Sequence, residues 1–364
     1  MSNTTISEEK TGFYYDLSAK LVIYAPQALG KDSSKTAEGV LRYGKNPVLA
    51  VIDAKHSGKT VRQVTGIPND APVVASIEEA LALKPDALLL GTAWAGGNLP
   101  DEWRPDLLKA IDARLDIVNG LHDFLEDDPA LSAAASRSGS RLIDVRRPPD
   151  KLPVGTAAAC KLPSFIVLTV GSDCSVGKMT TSLEIQKAAS AQGAKSAFVA
   201  TGQTGIMICG SGIAIDRVIG DFMSGAVEQM VLEAAAAGNE YIFVEGQGSI
   251  VHPSFSGVTL ALMHGSCPQG LILCHNARRT KIKGLEEQEL LPLAELVSIY
   301  ERVCAYLRPA KVLGVAFNTH GMSEEDALAA ISSASEALGL PVCDPVRQGA
   351  DRLWEAIRKY KEQL

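Results

Sequence analysis

The chain has 364 residues, a hydrophobic fraction of 46% and a formal net charge of −7. This length predicts about two domains. The acidic charge argues against a general nucleic-acid binder or membrane-surface binder, since both normally carry a basic patch. No apolar run approaches the ~20 residues that span a bilayer, and the polar residues 1–10 lack the apolar centre of a signal peptide. Seven scattered cysteines without a C-x-x-C pair favour a reduced cytoplasmic protein over a disulfide framework.

The first part of the chain alternates short apolar runs with helical patterns. Strands are predicted at 21–24, 48–52, 73–75, 87–90, 116–118 and 142–145. Such alternation predicts a parallel sheet with helices on both faces, and we assign residues 1–147 to this α/β domain. No G-x-G-x-x-G follows the first strand, so the sequence gives little support for a bound dinucleotide.

Three prolines within residues 146–153 interrupt the alternation, and we interpret 148–163 as a linker. A second α/β domain is predicted over 164–364. Its strands are predicted at 165–170, 196–200, 241–244, 271–274 and 312–317. In sheets of this kind, ligands bind at the carboxyl ends of the strands.

A phosphate-binding loop is predicted directly after the first strand of the second domain. The residues predicted to bind the phosphates of a cofactor are Gly171, Ser172, Asp173, Cys174, Ser175, Val176, Gly177, Lys178, Met179 and Thr180. Such a loop directs backbone N–H groups, a lysine and the positive end of a helix at one anion. Two departures from the consensus stand out. Five residues instead of four separate the glycines, and Met179 replaces the Ser or Thr that holds magnesium.

Two carboxylates are candidate catalytic bases, beside Lys178 as the main cation. Glu245 follows the predicted strand 241–244, which should place its carboxylate next to the loop. There it could hold a metal, orient water or accept a proton. The alternative is that Glu245 caps a neighbouring backbone segment. Asp216 is the second candidate. No His and Cys spacing typical of zinc occurs, and no metal site is predicted.

Candidate substrate-binding residues follow other predicted strand ends. Gln203 lies in a glycine-rich segment, and Arg217 is close enough to that segment to bind a substrate carboxylate. Arg278 and Arg279 follow the strand at 271–274, where paired arginines suit an anion. His252 is a further candidate, although single histidines are more often structural.

Segment 171–178 resembles the variant phosphate loop of dethiobiotin synthetase, and segment 244–248 resembles a strand end of that enzyme. Over nearly its whole length, the chain is similar to a family that joins a Rossmann-like N-terminal domain to a P-loop domain and includes the D-glutamate N-acetyltransferases. The residues that carry this resemblance are 120–125, 144–146, Gly155, 171–180, 201–205, 214–217, 221–222, 244–249, 252–253, 256–259 and 264–265.

The resemblance implies two doubly wound α/β domains with mostly parallel sheets, one Rossmann-like and one P-loop NTPase-like. It also implies a cytoplasmic acyltransferase that moves an acetyl group from acetyl-CoA to the amine of D-glutamate. Coenzyme A carries a pyrophosphate that the loop could bind without hydrolysing it, so Met179 would be acceptable. We expect a homo-oligomer that acts on a small molecule, with no nucleic acid or membrane as partner. Two alternatives stay open: a Mg-ATP-dependent ligase or kinase acting on a carboxylate, and a non-catalytic nucleotide-sensing protein.

Overall fold

A computed structural model of the protein describes residues 13–93 and 97–364, without the side chains of Phe13 and Tyr14. The polar stretch 1–10, which led us to expect no signal peptide, lies outside these residues. Within the described ranges, no helix combines the length and the apolar character that crossing a bilayer requires.

The first domain contains a six-stranded parallel sheet with helices on both faces. Before it comes a short strand outside this sheet, β1 (Phe13–Tyr14). The sheet strands are β2 (Leu21–Tyr24), β3 (Val48–Ile52), β4 (Val73–Val74), β5 (Ala87–Leu90), β6 (Asp116–Asn119) and β7 (Leu142–Asp144), and the helices are α1 (Lys35–Tyr43), α2 (Val61–Thr65), α3 (Ile77–Leu81), α4 (Arg104–Asp112) and α5 (Pro129–Ser138). The order β4-β3-β2-β5-β6-β7 is that of a Rossmann fold, which confirms the predicted fold class.

The second domain also has six parallel strands in its main sheet. Its strands are β8 (Phe165–Gly171), β9 (Ser196–Val199), β10 (Ser211–Gly212), β11 (Tyr241–Val244), β12 (Gly270–Asn276), β13 (Lys281–Ile282), β14 (Leu285–Glu289), β15 (Lys311–Asn318) and β16 (Val342–Cys343). Its helices are α6 (Lys178–Ala191), α7 (Gln203–Cys209), α8 (Gly220–Ala236), α9 (Ser256–Ser266), α10 (Leu293–Cys304), α11 (Glu324–Leu338) and α12 (Asp351–Lys361). The main sheet has the order β16-β15-β12-β8-β11-β9, so the predicted phosphate loop leaves a central, fully buried strand.

Two elements near the loop were not predicted from the sequence. Helix α7 occupies the glycine-rich segment, and the segment after β12 folds back as the antiparallel hairpin of β13 and β14. Glycine is uncommon within helices, so the sequence did not indicate α7. Gly205 is required here by packing, because a Cβ at this position would lie 2.4 Å from Glu245 Oε2. The glycine therefore permits close packing of α7.

The cysteine pattern led us to expect a reduced protein without a disulfide framework, but the structure contains one disulfide. Cys160 and Cys267 form a disulfide between the turn before β8 and the end of α9, whereas five other cysteines are free. The two partners are 107 residues apart in sequence, and only the tertiary fold brings their Cα atoms within 5.2 Å. Local spacing carries no signal for such a pair.

One hydrophobic cluster is shared by the two domains, beside the clusters that lie within each of them. A single buried cluster joins residues of α1, such as Ala37 and Val40, to residues of α7, such as Ile206 and Met207. The helices approach closely at Gly39, where a Cβ would lie 2.7 Å from Thr204 Cγ2. This apolar contact fixes the position of the first domain over the phosphate loop.

The segment before the first domain provides a second connection. Strand β1 pairs antiparallel with β10 of the second domain. The Tyr15 hydroxyl then reaches Asn46 of the first domain at 3.2 Å and also donates to the carbonyl of Met207. The start of the described chain is therefore bound to both domains.

The close approach at Gly39 generates a stability prediction. We expect Gly39→Val to lower the free energy of unfolding by about 1–3 kcal/mol, because added carbons overpack the contact between α1 and α7. Gly257, in α9, is the matched control, since nothing lies within 4 Å of its added Cβ. Urea unfolding of both variants measures the effect, and equal stability of Gly39→Val and Gly257→Val would refute it.

Candidate functional site

The loop between β8 and α6 folds around the ammonium group of Lys178. Ser175 and Gly177 adopt positive φ angles of 54° and 104°, which turn the chain back toward the start of α6. Lys178 Nζ donates to the carbonyl of Asp173 at 2.8 Å, and burial lowers the pKa of this lysine. Gly171 leaves room for that ammonium, because a Cβ there would lie 2.7 Å from Lys178 Nζ.

Asp173 fixes the shape of the loop. Its side chain is buried, and Oδ2 accepts from Arg279 Nη1 at 2.9 Å and from the backbone N–H of Lys283 at 2.8 Å. Oδ1 accepts from the backbone N–H of Cys174 at 2.7 Å. We predicted Asp173 as a cofactor contact together with the rest of the loop, but both of its oxygens bind protein groups.

Met179 and Thr180, predicted with the loop, contact the first domain instead. A Cβ on Gly39 of α1 would lie 3.4 Å from Met179 Cε, and Met179 belongs to the periphery of the shared core. Tyr43 of α1 lies close to Thr180, and the Tyr43 hydroxyl donates to Glu184 at 2.9 Å. The residue that replaces the magnesium-binding Ser or Thr is therefore an interdomain packing residue.

The two paired arginines point in different directions. Arg279 reaches the loop and also donates to the carbonyl of Cys174 at 2.6 Å. Arg278 is exposed, and its guanidinium lies beside Gly321, so the structure does not bring it to the loop. The turn between β13 and β14 supplies a cation that the sequence analysis missed: Lys283 Nζ lies 3.4 Å from Ser175 Oγ.

Two histidines form hydrogen bonds with the loop and with the neighbouring hairpin turn. Ser172 Oγ lies 2.9 Å from His275 Nδ1, and burial lowers the pKa of His275 to about 4, which keeps the ring neutral near pH 7. The backbone N–H of Ser254 donates to His252 Nδ1 at 3.2 Å, which leaves Nε2 to donate to the Lys283 carbonyl at 3.2 Å. His252, a predicted substrate ligand, thus positions the hairpin turn.

One cluster of side chains beside the loop has the composition of a metal site. Among the described residues, Asp173, Cys174 and His252 form the one group of three possible ligands whose donor atoms lie within 4.8 Å of one another. Both Asp173 oxygens and both His252 nitrogens already have hydrogen-bond partners. Arg279 also places a positive charge against Asp173. This group therefore fits a cation poorly.

Glu245 binds a neighbouring backbone segment, which was the alternative considered for it. Its Oε2 accepts from the backbone N–H groups of Thr201 and Gly202 at 2.9 and 3.1 Å, so it fixes the segment directly before α7. Burial raises the pKa of Glu245 to about 7, against the lowering effect of those two N–H groups and of Lys178. A carboxyl group with this pKa can accept a proton near neutral pH.

The remaining predicted residues meet the first domain. Arg146, which is buried, forms an ion pair with Asp216 and donates to the Gly120 carbonyl at 2.8 Å. Gln203 also lies against this segment, since a Cβ on Gly120 would be 3.1 Å from Gln203 Cγ. Asp216 is thus engaged by an arginine, which makes Glu245 the better candidate base.

Arg217 stacks on an aromatic ring of the first domain. Its Cζ lies 4.8 Å from the centre of the Phe124 ring, on which Arg147 also stacks at 4.2 Å. His122 is close by: burial lowers its pKa, and so do the charges of Arg146 and Arg217. Arg146 and His122 were not among the candidate ligands, because they lie in a different domain from the phosphate loop.

Comparison with known proteins places the chain in a family. Residues 54–148 match a domain of unknown function described as the DUF1611_N Rossmann-like domain, and residues 153–354 match the DUF1611_C P-loop domain. A solved DUF1611 family protein from Anabaena variabilis superposes with a TM-score of 0.90 and 40% identity, covering 94% of this chain and 100% of that one.

Two curated relatives carry the name D-glutamate N-acetyltransferase. The protein from Tritonibacter scottomollicae is 40% identical over 283 residues, which is 78% of this chain and 84% of the relative. The protein from a Pseudoalteromonas species is 39% identical over 279 residues, which is 76% and 83% of the two chains. The resemblance predicted from the motifs is confirmed, and the chain belongs to the DUF1611 family, in which a Rossmann-like domain precedes a P-loop domain.

Proposed function

We propose that this protein is an N-acetyltransferase that moves the acetyl group of acetyl-CoA to the amine of D-glutamate or a close acidic amino acid. The observation that carries the proposal is the similarity, across both domains, to two proteins named D-glutamate N-acetyltransferase. The cytoplasmic location and the homo-oligomeric state of the protein stay predictions.

The loop geometry supports phosphate binding without phosphate transfer. Lys178 and the start of α6 suit one phosphate of coenzyme A, and Arg279 and Lys283 add positive charge beside them. Met179 has no oxygen to offer a magnesium ion, and its side chain packs against the first domain. These residues favour a coenzyme over a hydrolysed nucleotide.

The proposed chemistry uses Glu245 as the base. The neutral amine attacks the thioester carbonyl carbon, a C–N bond forms, and the Glu245 carboxylate takes the amine proton. Backbone N–H groups of the glycine-rich segments would stabilise the negative oxygen of the intermediate. The C–S bond then breaks, and coenzyme A leaves as a thiolate that takes up a proton.

The substrate carboxylates would bind at the junction of the two domains. Arg217 is exposed and makes no ion pair within the described ranges, so its guanidinium is available to a carboxylate. Gln203 and His122 lie on the same side of the junction as further hydrogen-bonding groups. Arg278 plays no part in this arrangement.

One assay distinguishes the proposal from its alternatives. The protein is incubated with D-glutamate and either acetyl-CoA or Mg-ATP. Free thiol release supports acetyl transfer, and release of ADP or phosphate supports a ligase or kinase. Ligand binding without any product supports a nucleotide-sensing protein. Acetyl transfer should also persist in EDTA, since the proposal assigns no step to a metal.

The first prediction from the proposed function concerns Lys178. We expect Lys178→Ala to weaken acetyl-CoA binding by about a hundredfold or more, because a buried ammonium that faces a phosphate is lost. Lys187→Ala, an exposed position on the same helix, should bind as wild type does. Isothermal titration calorimetry measures the acetyl-CoA affinity of both variants. Wild-type affinity of Lys178→Ala would contradict the placement of the coenzyme in the loop.

The second prediction concerns the pH dependence of Glu245. Only the carboxylate form accepts a proton, so kcat/KM should rise as the pH increases through about 7. Glu245→Gln keeps an oxygen for the N–H groups of Thr201 and Gly202 but cannot accept the proton. Its rate should fall by about 10²–10⁴-fold, and the limb near pH 7 should disappear. A variant that keeps that limb would exclude Glu245 as the base.

The third prediction compares two arginines on the same ring. Arg217→Ala should raise the KM for D-glutamate about tenfold or more, because a charge-assisted hydrogen bond to a carboxylate is lost. Arg147→Ala should have little effect, since Arg147 is already paired with Glu126 and Asp127. Steady-state kinetics at fixed acetyl-CoA checks both, and equal KM values for the two variants would contradict this placement of the substrate.

A further inference from the structure

Additional positive charge lies beside the phosphate loop, on the side of the exposed residue Ser175. Lys283 reaches Ser175 Oγ from the hairpin turn, at 3.4 Å. Arg279 is held against the loop by Asp173 and by the carbonyl of Cys174. The first domain adds a third cation, Lys35, which the sequence analysis did not single out.

The position of Lys35 follows from the packing of α1. Lys35 is the first residue of this helix, and Gly39, four residues later, lies on the same helical face. Gly39 contacts Met179, the residue directly after Lys178. Lys35 therefore lies about one helical turn N-terminal to Gly39, on the face of α1 that packs over the start of α6.

Electrostatic coupling agrees with this placement. Partial burial lowers the pKa of Lys35, and the charges of Lys283 and Arg279 lower it further, although Asp32 and Glu38 oppose them. Arg279 is balanced by Asp173. In the part of the chain that the structure describes, neither Lys35 nor Lys283 forms an ion pair within 4.0 Å. Two like charges near one another, neither of them held in an ion pair, favour an anion between them.

We propose that Lys35 and Lys283 form a second anion-binding subsite, next to the phosphate loop and across the junction of the two domains. It takes a phosphate group whose neighbouring phosphate lies in the loop at Lys178, so its ligand class is a diphosphate. This deepens the proposed function, because coenzyme A carries a pyrophosphate, and it rests on that function only for the identity of the natural ligand.

The test uses inorganic pyrophosphate as the probe and the full chain as the protein. Titration calorimetry should give about tenfold weaker binding for Lys35→Gln than for wild type, as expected when one charge-assisted hydrogen bond is lost. Lys35→Arg keeps the charge and should retain most of the affinity. Lys45→Gln is the matched control, because Lys45 is exposed near the opposite end of α1.

The pyrophosphate affinities and the thermal stabilities of the variants distinguish loss of the subsite from a general effect of charge and from misfolding. Wild-type affinity of Lys35→Gln would overturn the proposal, and so would an equal loss in Lys45→Gln. Thermal unfolding midpoints within experimental error of wild type establish that the variants are folded. Lys283→Gln, which keeps its backbone N–H bond to Asp173, should show a loss similar to that of Lys35→Gln.

The same proteins distinguish this proposal from the proposed function. If pyrophosphate binding follows the expected pattern but acetyl-CoA and D-glutamate release no thiol, the subsite stands and the acetyl transfer is wrong. If thiol is released and Lys35→Gln binds pyrophosphate as wild type does, the acetyl transfer stands and the subsite is wrong.

Discussion

The buried carboxylate of Asp173 is the interaction on which the candidate site depends. Its oxygens accept from the backbone of Cys174, from the Arg279 guanidinium and from the backbone of Lys283. These donors come from the loop itself and from the hairpin and the residues directly before it, more than a hundred residues later in the chain. A buried carboxylate with fewer partners would carry a large desolvation cost. Satisfying Asp173 therefore requires that the hairpin be placed over the loop, and with it the cations that surround the anion site.

The interdomain contact explains the unusual residue after Lys178. In a loop that holds magnesium, this position faces the metal. Here Met179 packs against Gly39, and α1 joins α7 in one hydrophobic core. The apolar side chain of Met179 stabilises the contact between the two domains, at the position where a hydroxyl would bind a metal. The presence of Met at this one position therefore affects both the chemistry of the loop and the packing of the domains.

The sequence predicted most of the framework and part of the site. Buried strands such as β2 and β8 could be predicted because short, uninterrupted apolar runs are typical of strands in a buried sheet. The phosphate loop could be predicted because its glycines and its lysine are close in sequence. Helix α7 was missed because the glycine that lets it approach Glu245 is typical of a loop. The different directions of Arg278 and Arg279, the role of Lys283 and the Cys160–Cys267 pair all depend on tertiary contacts, for which neighbouring residues carry no signal.

The shared core has a consequence for how ligands reach the site. Ile206, Met207 and Ile208 are all buried within it, and exposing a large apolar side chain costs about 1.5–3 kcal/mol. Separation of the two domains along this contact would therefore cost several kcal/mol on each cycle, before the loss of the pairing between β1 and β10 is included. Ser175 and Arg217, by contrast, are exposed, so a ligand can reach these residues without separating the domains. The junction is therefore a fixed wall of the candidate site.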